Sequence, residues 1–249
     1  LALQDAAATL QKLGNALATA LERRLTAGLS SRARPLTGLS HGMSGIGLAM
    51  LESFSAGGGR SNLMAAQRDF AYERACFDEE SGNWPDFRWR TSRGVKRGKA
   101  PRYGMAWCHG APGIALTRLR AMKIDPERRT DYEPTARMAV ATTREGLHKS
   151  LSEDQDLDAS LCHGVSGLVE VLRQAGQILS EPRLEDVARE AMAELVSRYA
   201  GAGEWPSGLE SRARNPSLFL GEAGVGLTLL RIERTEYRGS VLLPDTEPA

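Results

Sequence analysis

Thiols and imidazoles are scarce in this chain: 249 residues include three cysteines and four histidines. An odd number of cysteines in a chain this long makes no disulfide framework. The thiols therefore read as free groups or metal ligands in a reducing compartment, with the cytoplasm as the default expectation. Charge of one sign is lacking too, the formal net charge being +1, so no global field points to nucleic acid or to an acidic partner. Apolar runs fall short of the roughly 20 residues that a bilayer-spanning helix needs, and no membrane span is expected. The chain opens at Leu1, already in a helix-like stretch and without a signal-peptide pattern, and an upstream segment is expected. Period-two alternation is hard to find, so strands should be few.

A repeat stands where these features are missing. Four segments share one signature: Ser40-His41-Gly42-Met43-Ser44-Gly45, Cys108-His109-Gly110-Ala111-Pro112-Gly113, Cys162-His163-Gly164-Val165-Ser166-Gly167 and Phe219-Leu220-Gly221-Glu222-Ala223-Gly224. Their first glycines are separated by 68, 54 and 57 residues. An apolar helical stretch follows each signature, as in Ile46-Gly47-Leu48-Ala49-Met50-Leu51. An amphipathic stretch precedes each, at about 2–24, 61–78, 131–149 and 184–199; in the last, Leu184, Val187, Ala188, Ala191, Leu195, Val196 and Tyr199 fall on one helical face. The sequence thus predicts an all-α chain of four helical pairs, with glycines where a loop must approach a helix start closely and Pro112 in a first helical turn. If the apolar helices lie side by side, their N-termini share one rim. His41, His109, His163 and Leu220 then occupy equivalent places, with Cys108 and Cys162 one step earlier.

Two readings of the Cys-His-Gly pair stand at this point. Thiolates with imidazole suit Zn²⁺, and three protein ligands leave a fourth position open; equally, both cysteines are small residues that bury well. Their shared slot in the repeat favours the metal. His41, in the same slot without a cysteine, is placed to move protons near neutral pH, or is simply satisfied by a backbone carbonyl. His109 reads as a ligand, a supporting donor or a plain rim residue. His148 reads as a surface residue late in a helix, and Cys76 as core. Between Arg88 and Arg102 lie seven basic residues, counting both ends, and no acidic one; solvated charge explains such a run better than a docking site for an acidic peptide. Glu204-Trp205-Pro206-Ser207 is a shorter counterpart of the loop around Trp84 and Trp89, so part of that loop is architectural.

At these residues the sequence resembles the cyclase domain of the lanthionine synthetases, and most of all the C-terminal part of the bifunctional class II lanthipeptide synthetases. The resemblance is carried by Gly38-Leu39-Ser40-His41-Gly42-Met43-Ser44-Gly45, Trp107-Cys108-His109-Gly110-Ala111-Pro112-Gly113, Leu161-Cys162-His163-Gly164, Ser217-Leu218-Phe219-Leu220-Gly221 and the tail Ser240-Val241-Leu242-Leu243-Pro244. It implies an α,α-toroid of helical hairpins, four present here of an expected seven, with residues 1–249 as the C-terminal part of the domain. Such a piece is expected to form an open crescent with exposed apolar edges. The resemblance also implies zinc on Cys108, Cys162 and His163, with His41 as the acid/base residue, and addition of a peptide cysteine thiol to dehydroalanine or dehydrobutyrine. The partners so implied are a ribosomally made precursor peptide and a dehydratase domain upstream. His109 stands where relatives often carry tyrosine. The alternatives are a relative that joins glutathione to dehydroamino acids, and a non-enzymatic peptide-binding repeat in which zinc only staples the hairpins. A toroid glycosidase would need a pair of carboxylates on the signature rim, and none is read there.

Overall fold

The computed structural model describes residues 34–90, 102–152, 157–207, 214–234 and 239–243, with isolated positions 9, 12, 15, 16, 19, 20, 209 and 236. Most of the stretch read as helical over 2–24, the basic residues between 91 and 101, and Pro244 lie outside the described residues. The described part is all-α, apart from four strands of two residues each. Helices α1 (Met43–Ser55), α3 (Ala111–Ile124), α5 (Val165–Leu179) and α7 (Glu222–Glu233) each begin inside a signature. Helices α2 (Arg60–Arg74), α4 (Arg129–Ser152) and α6 (Pro182–Tyr199) alternate with them.

Two layers result. The signature helices pack side by side, α1 on α3, α3 on α5 and α5 on α7, and the amphipathic helices cover them from outside. Each signature helix forms its tightest hairpin with the amphipathic helix that follows it, as α1–α2, α3–α4 and α5–α6, and not with the one before. The hairpins are therefore offset by one helix from the pairing read in the sequence. Short connections decide this: Ala56–Gly59 and Ser180–Glu181 return the chain at once, whereas each outer helix is followed by a long loop leading to the next signature. Three hairpins and the seventh helix are present among the described residues.

The inner layer is the core. Every residue from Ala111 to Met122 is buried, as is every residue from Val165 to Gly176, which is why these helices read as apolar nearly all round. Ile114, Leu116, Leu119, Leu168 and Leu172 are among the largest fully enclosed side chains, and Leu51, Leu147 and Leu195 meet them from neighbouring helices. Arg118 is enclosed too, with its side chain 1% exposed beside Glu73 at 2.9 Å. Glu73 accepts the N–H of Gly38 at 2.7 Å, the N–H of Ser44 at 3.3 Å and the Ser44 hydroxyl. One carboxylate thus joins the first signature loop, α2 and α3. The Arg118 guanidinium also lies over the Phe70 ring, 4.0 Å from its centroid, an arrangement that favours a cation.

The signature glycines are explained by close approach. A Cβ on Gly45, Gly113, Gly167 or Gly224 would strike the carbonyl oxygen of Leu39, Trp107, Leu161 or Leu218, in that order, well inside 3.0 Å. Each loop folds its own carbonyl onto the first turn of its own helix. Loop carbonyls also satisfy the first helical N–H group of three of these helices: Leu36 accepts Met43 N–H at 2.9 Å, Asp158 accepts Val165 N–H at 2.8 Å and Asn215 accepts Glu222 N–H at 2.7 Å; in α3 the Asn83 side-chain oxygen accepts Ala111 N–H at 3.0 Å. The two Trp-Pro segments have one function in common. Thr37 hydroxyl donates to the Pro85 carbonyl at 2.6 Å, and Ala159 N–H donates to the Pro206 carbonyl at 3.0 Å. The architectural part of that loop is therefore a tie to a signature loop. Among the described residues no helix is long and apolar enough to cross a membrane.

Candidate functional site

The four signature loops are sewn edge to edge by backbone hydrogen bonds. Ser40 N–H donates to the Cys108 carbonyl at 3.1 Å, Trp107 N–H to the Cys162 carbonyl at 3.2 Å, and Cys162 N–H to the Phe219 carbonyl at 2.8 Å. The helix N-termini therefore open on one rim, and residues sharing a repeat slot become neighbours. Cys108 and Cys162 follow from this directly. Both are half-buried free thiols on adjacent, hydrogen-bonded loops. The neighbouring Cys162 thiol drives the Cys108 thiol down to about 4 against the cost of burial, helped by His109 and by the charges of His109 and His163. Cys162, beside that thiolate, is pushed up for the same reason.

His163 lies next to the pair. Its Nδ1 is 2.9 Å from Asp158 Oδ2. A carboxylate only accepts, so Nδ1 carries the hydrogen and Nε2 keeps its lone pair for a cation. Asp158 Oδ1 accepts the Ser160 N–H at 2.7 Å, so one carboxylate closes its own turn and holds the imidazole. The sequence reading missed Asp158. A signal was present: Asn215 occupies the same repeat slot and makes the same turn, accepting Ser217 N–H at 3.0 Å. That turn chemistry marks the slot as a loop closure, and the second contact, to the imidazole, is visible only in the structure.

The other two rim histidines meet each other. The rings of His41 and His109 stack with centroids 5.3 Å apart and planes at 22°. His109 sits on β4 (His109–Gly110), which pairs antiparallel with β3 (Met105–Ala106). Gly104, just before β3, has no room for a Cβ beside His109. Of the three roles read for His109, the structure places it as a rim residue stacked on His41. Beside His41 runs a groove of about 600 Å³ lined by Leu39, Ile46, Leu48, Trp107, Leu242 and Leu243 among others. The tail closes one side of it, with Trp107 Nε1 donating to the Leu242 carbonyl at 3.0 Å. His148 is exposed on α4, and Cys76 is half-buried against the core beside Tyr72; neither joins the rim.

Among the described residues, no three His, Cys, Asp or Glu side chains are gathered tightly enough to form a finished metal cage. The donor set itself suits a borderline cation: two thiols on adjacent loops, one already disposed to be a thiolate, and an imidazole with a fixed tautomer. The His163 side chain is 40% exposed and held at Nδ1 by Asp158, which leaves Nε2 as the atom available to a cation.

Comparison with known proteins bears on the whole chain. The family described as Lanthionine synthetase C-like protein matches residues 2–243. The Nisin biosynthesis protein NisC of Lactococcus lactis subsp. lactis is 26% identical over 164 residues, which is 61% of this chain and 36% of that relative. The solved structure of a nisin cyclase superposes with a TM-score of 0.60 at 19% identity, over 81% of this chain and 47% of that one. The fold is that all-α toroid architecture, and the chain spans about half the length of that structure and less of the NisC relative.

Proposed function

The chain belongs to the lanthionine synthetase C-like family, and on that premise we propose that its rim is the zinc-dependent active site of a lanthipeptide cyclase. The reaction proposed is addition of a peptide cysteine thiol to dehydroalanine or dehydrobutyrine, giving a thioether ring. One observation carries the proposal: thiols 54 residues apart in sequence stand on adjacent loops, joined by the Trp107 N–H to Cys162 carbonyl bond, on the rim that also bears the His41–His109 stack.

Cys108, Cys162 and His163 are the residues that would hold zinc, and the bound ion would supply a Lewis acid able to lower the pKa of an incoming thiol from its usual value of about 8.5. Asp158 fixes the His163 ring in the tautomer with Nε2 as the free donor. His41 is the proton carrier: its imidazole on the rim gives a proton to the substrate α-carbon once sulfur has joined the β-carbon. His109, stacked on His41, limits the freedom of that ring. The apolar groove beside His41 holds the peptide segment that flanks the reacting residue, so the two ends of the new ring meet in a restricted geometry. The precursor peptide as partner, a dehydratase domain that makes the dehydroamino acid, and a cytoplasmic setting for free thiols belong to the same proposal.

The test uses the purified full-length protein with a peptide bearing one dehydroalanine and one cysteine. Cyclisation consumes the thiol without a change of mass, so it is read as loss of labelling by a thiol reagent. About one zinc per chain and thioether formation are expected, and Cys108→Ala or Cys162→Ala should lose both. Full zinc content in either variant sinks the ligand assignment. Zinc that binds no added thiol points instead to a closed structural staple, and preference for glutathione over the peptide thiol points to the glutathione-adding relative.

A further inference from the structure

The corner where β1 (Pro85–Asp86) runs into the single turn Phe87–Arg90 carries an ion pair that the proposed chemistry leaves without a task. Arg88 Nε donates to both oxygens of Asp86, at 3.0 and 2.9 Å, and Nη2 donates to Oδ2 at 2.5 Å. The Arg88 N–H donates to Oδ1 at 2.9 Å, so backbone and side chain are fixed by one carboxylate. The corner is held from two sides. The Pro85 carbonyl takes the Thr37 hydroxyl from the first signature loop, and β1 lies against β4, the strand of His109. β2 (Arg102–Tyr103) pairs with β1 and closes its outer edge. The ion pair is thus wedged between the loop of His41 and the loop of Cys108, with the Arg88 side chain 45% exposed. Electrostatics agree with this placement: after the hydrogen bonds to Asp86, the charge on Cys108 strengthens the hold of Arg88 on its proton.

We infer that Arg88, clamped by Asp86, is a further catalytic residue of this rim, an anion-holding group for the substrate carbonyl oxygen. The inference rests on the cyclase reading for its substrate and on the structure for its place. When sulfur forms its bond to the β-carbon, the Cα–Cβ π bond breaks and its electron pair moves through the α-carbon onto the adjacent amide carbonyl, giving an enolate. His41 then delivers a proton to the α-carbon, and the enolate collapses to the carbonyl. Between those events the oxygen carries the negative charge, and a guanidinium fixed in advance stabilises it without reorganisation.

The experiment has two arms. In metal-free full-length protein, Cys108 is alkylated with iodoacetate and with iodoacetamide, and the modified peptide is quantified by mass spectrometry. Both reagents consume the same thiolate, so the ratio of their rates cancels its abundance and reports the local field acting on the anionic reagent. Arg88→Gln should lower the iodoacetate-to-iodoacetamide ratio about fivefold, and Arg88→Lys should keep it within about twofold. An unchanged ratio in Arg88→Gln overturns the anion-holding role. In zinc-loaded protein with the dehydroalanine peptide, Arg88→Gln should cut kcat about 100-fold with KM within about threefold and unchanged zinc content. Wild-type kcat in that variant overturns the catalytic role. A wild-type protein that forms no thioether while its alkylation ratio responds to Arg88 condemns the cyclase reading and leaves the anion-holding group standing.

Discussion

Asp158 shows how much one side chain outside the proposed ligand set can decide. Its two oxygens serve different masters, the Ser160 N–H and the His163 ring. Asp158→Asn separates them. The amide oxygen can still close the turn to Ser160, but the amide nitrogen then faces Nδ1 and forces that atom to accept, which puts the ring hydrogen on Nε2 and blocks the donor that a cation needs. Zinc affinity of Asp158→Asn, measured by chelator competition, should fall about 10–100-fold while the urea midpoint stays near wild type. An affinity equal to wild type would remove Asp158 from the support of the site. The cysteines and His41 were legible because each sits in a repeat slot, and equal slots become neighbours once loops are sewn together. Asp158 was not, because an aspartate in a loop looks the same whether it closes a turn or also grips an imidazole. The His41–His109 stack was equally hidden: it depends on β4 turning His109 towards the first loop, and a strand of two residues leaves no periodicity to read.

At the level of elements, the signature is a packing device before it is anything chemical. Gly167→Ala would drive a methyl into the Leu161 carbonyl, a backbone group that cannot step aside; the cost should be about 2–3 kcal/mol in urea unfolding. Gly226→Ala is the control. It lies in α7 with nothing within 4 Å of the added methyl and should gain about 0.5–1 kcal/mol from helix propensity. The same assay tests the buried junction. Glu73→Gln leaves the enclosed Arg118 without its counter-charge and should lose about 3–5 kcal/mol, with Arg118→Met on that background recovering part of it. Helix positions along the chain were plain from apolar spacing, since burial of a face is written into period 3.6. Which neighbour each helix folds back on was not, because connection length, and not amphipathicity, sets the hairpin.

The molecule as a whole is graded from a closed interior to an open margin. Helices α3 and α5 are buried on all sides, whereas α7 shows Leu230 at 61% exposure, and Leu218 and Phe219 leave over a third of their surface open on the last signature loop. Hydrogen exchange followed by mass spectrometry should find the slowest amides in Ala111–Ile124 and Val165–Leu179, and amides of Glu222–Glu233 exchanging well before them. Equal protection across all of these helices would mean that the margin is as firmly held as the centre. The large apolar side chains left open among the described residues of this margin are Leu218, Phe219 and Leu230.

The sewn rim has a consequence for how such chains tolerate change. Signature spacings of 68, 54 and 57 residues deliver side chains to one seam because the seam is made of backbone bonds between loops, and these take no account of what lies between them. Within the segments joining an outer helix to the next signature, the stretches that carry a tie are held to the rim: Pro85 and Asp86–Arg88 in one connector, Asp158 in the next and Pro206 in the third. Grafted recognition for new peptides therefore belongs between those fixed points, where a change of length leaves the seam and its side chains in place.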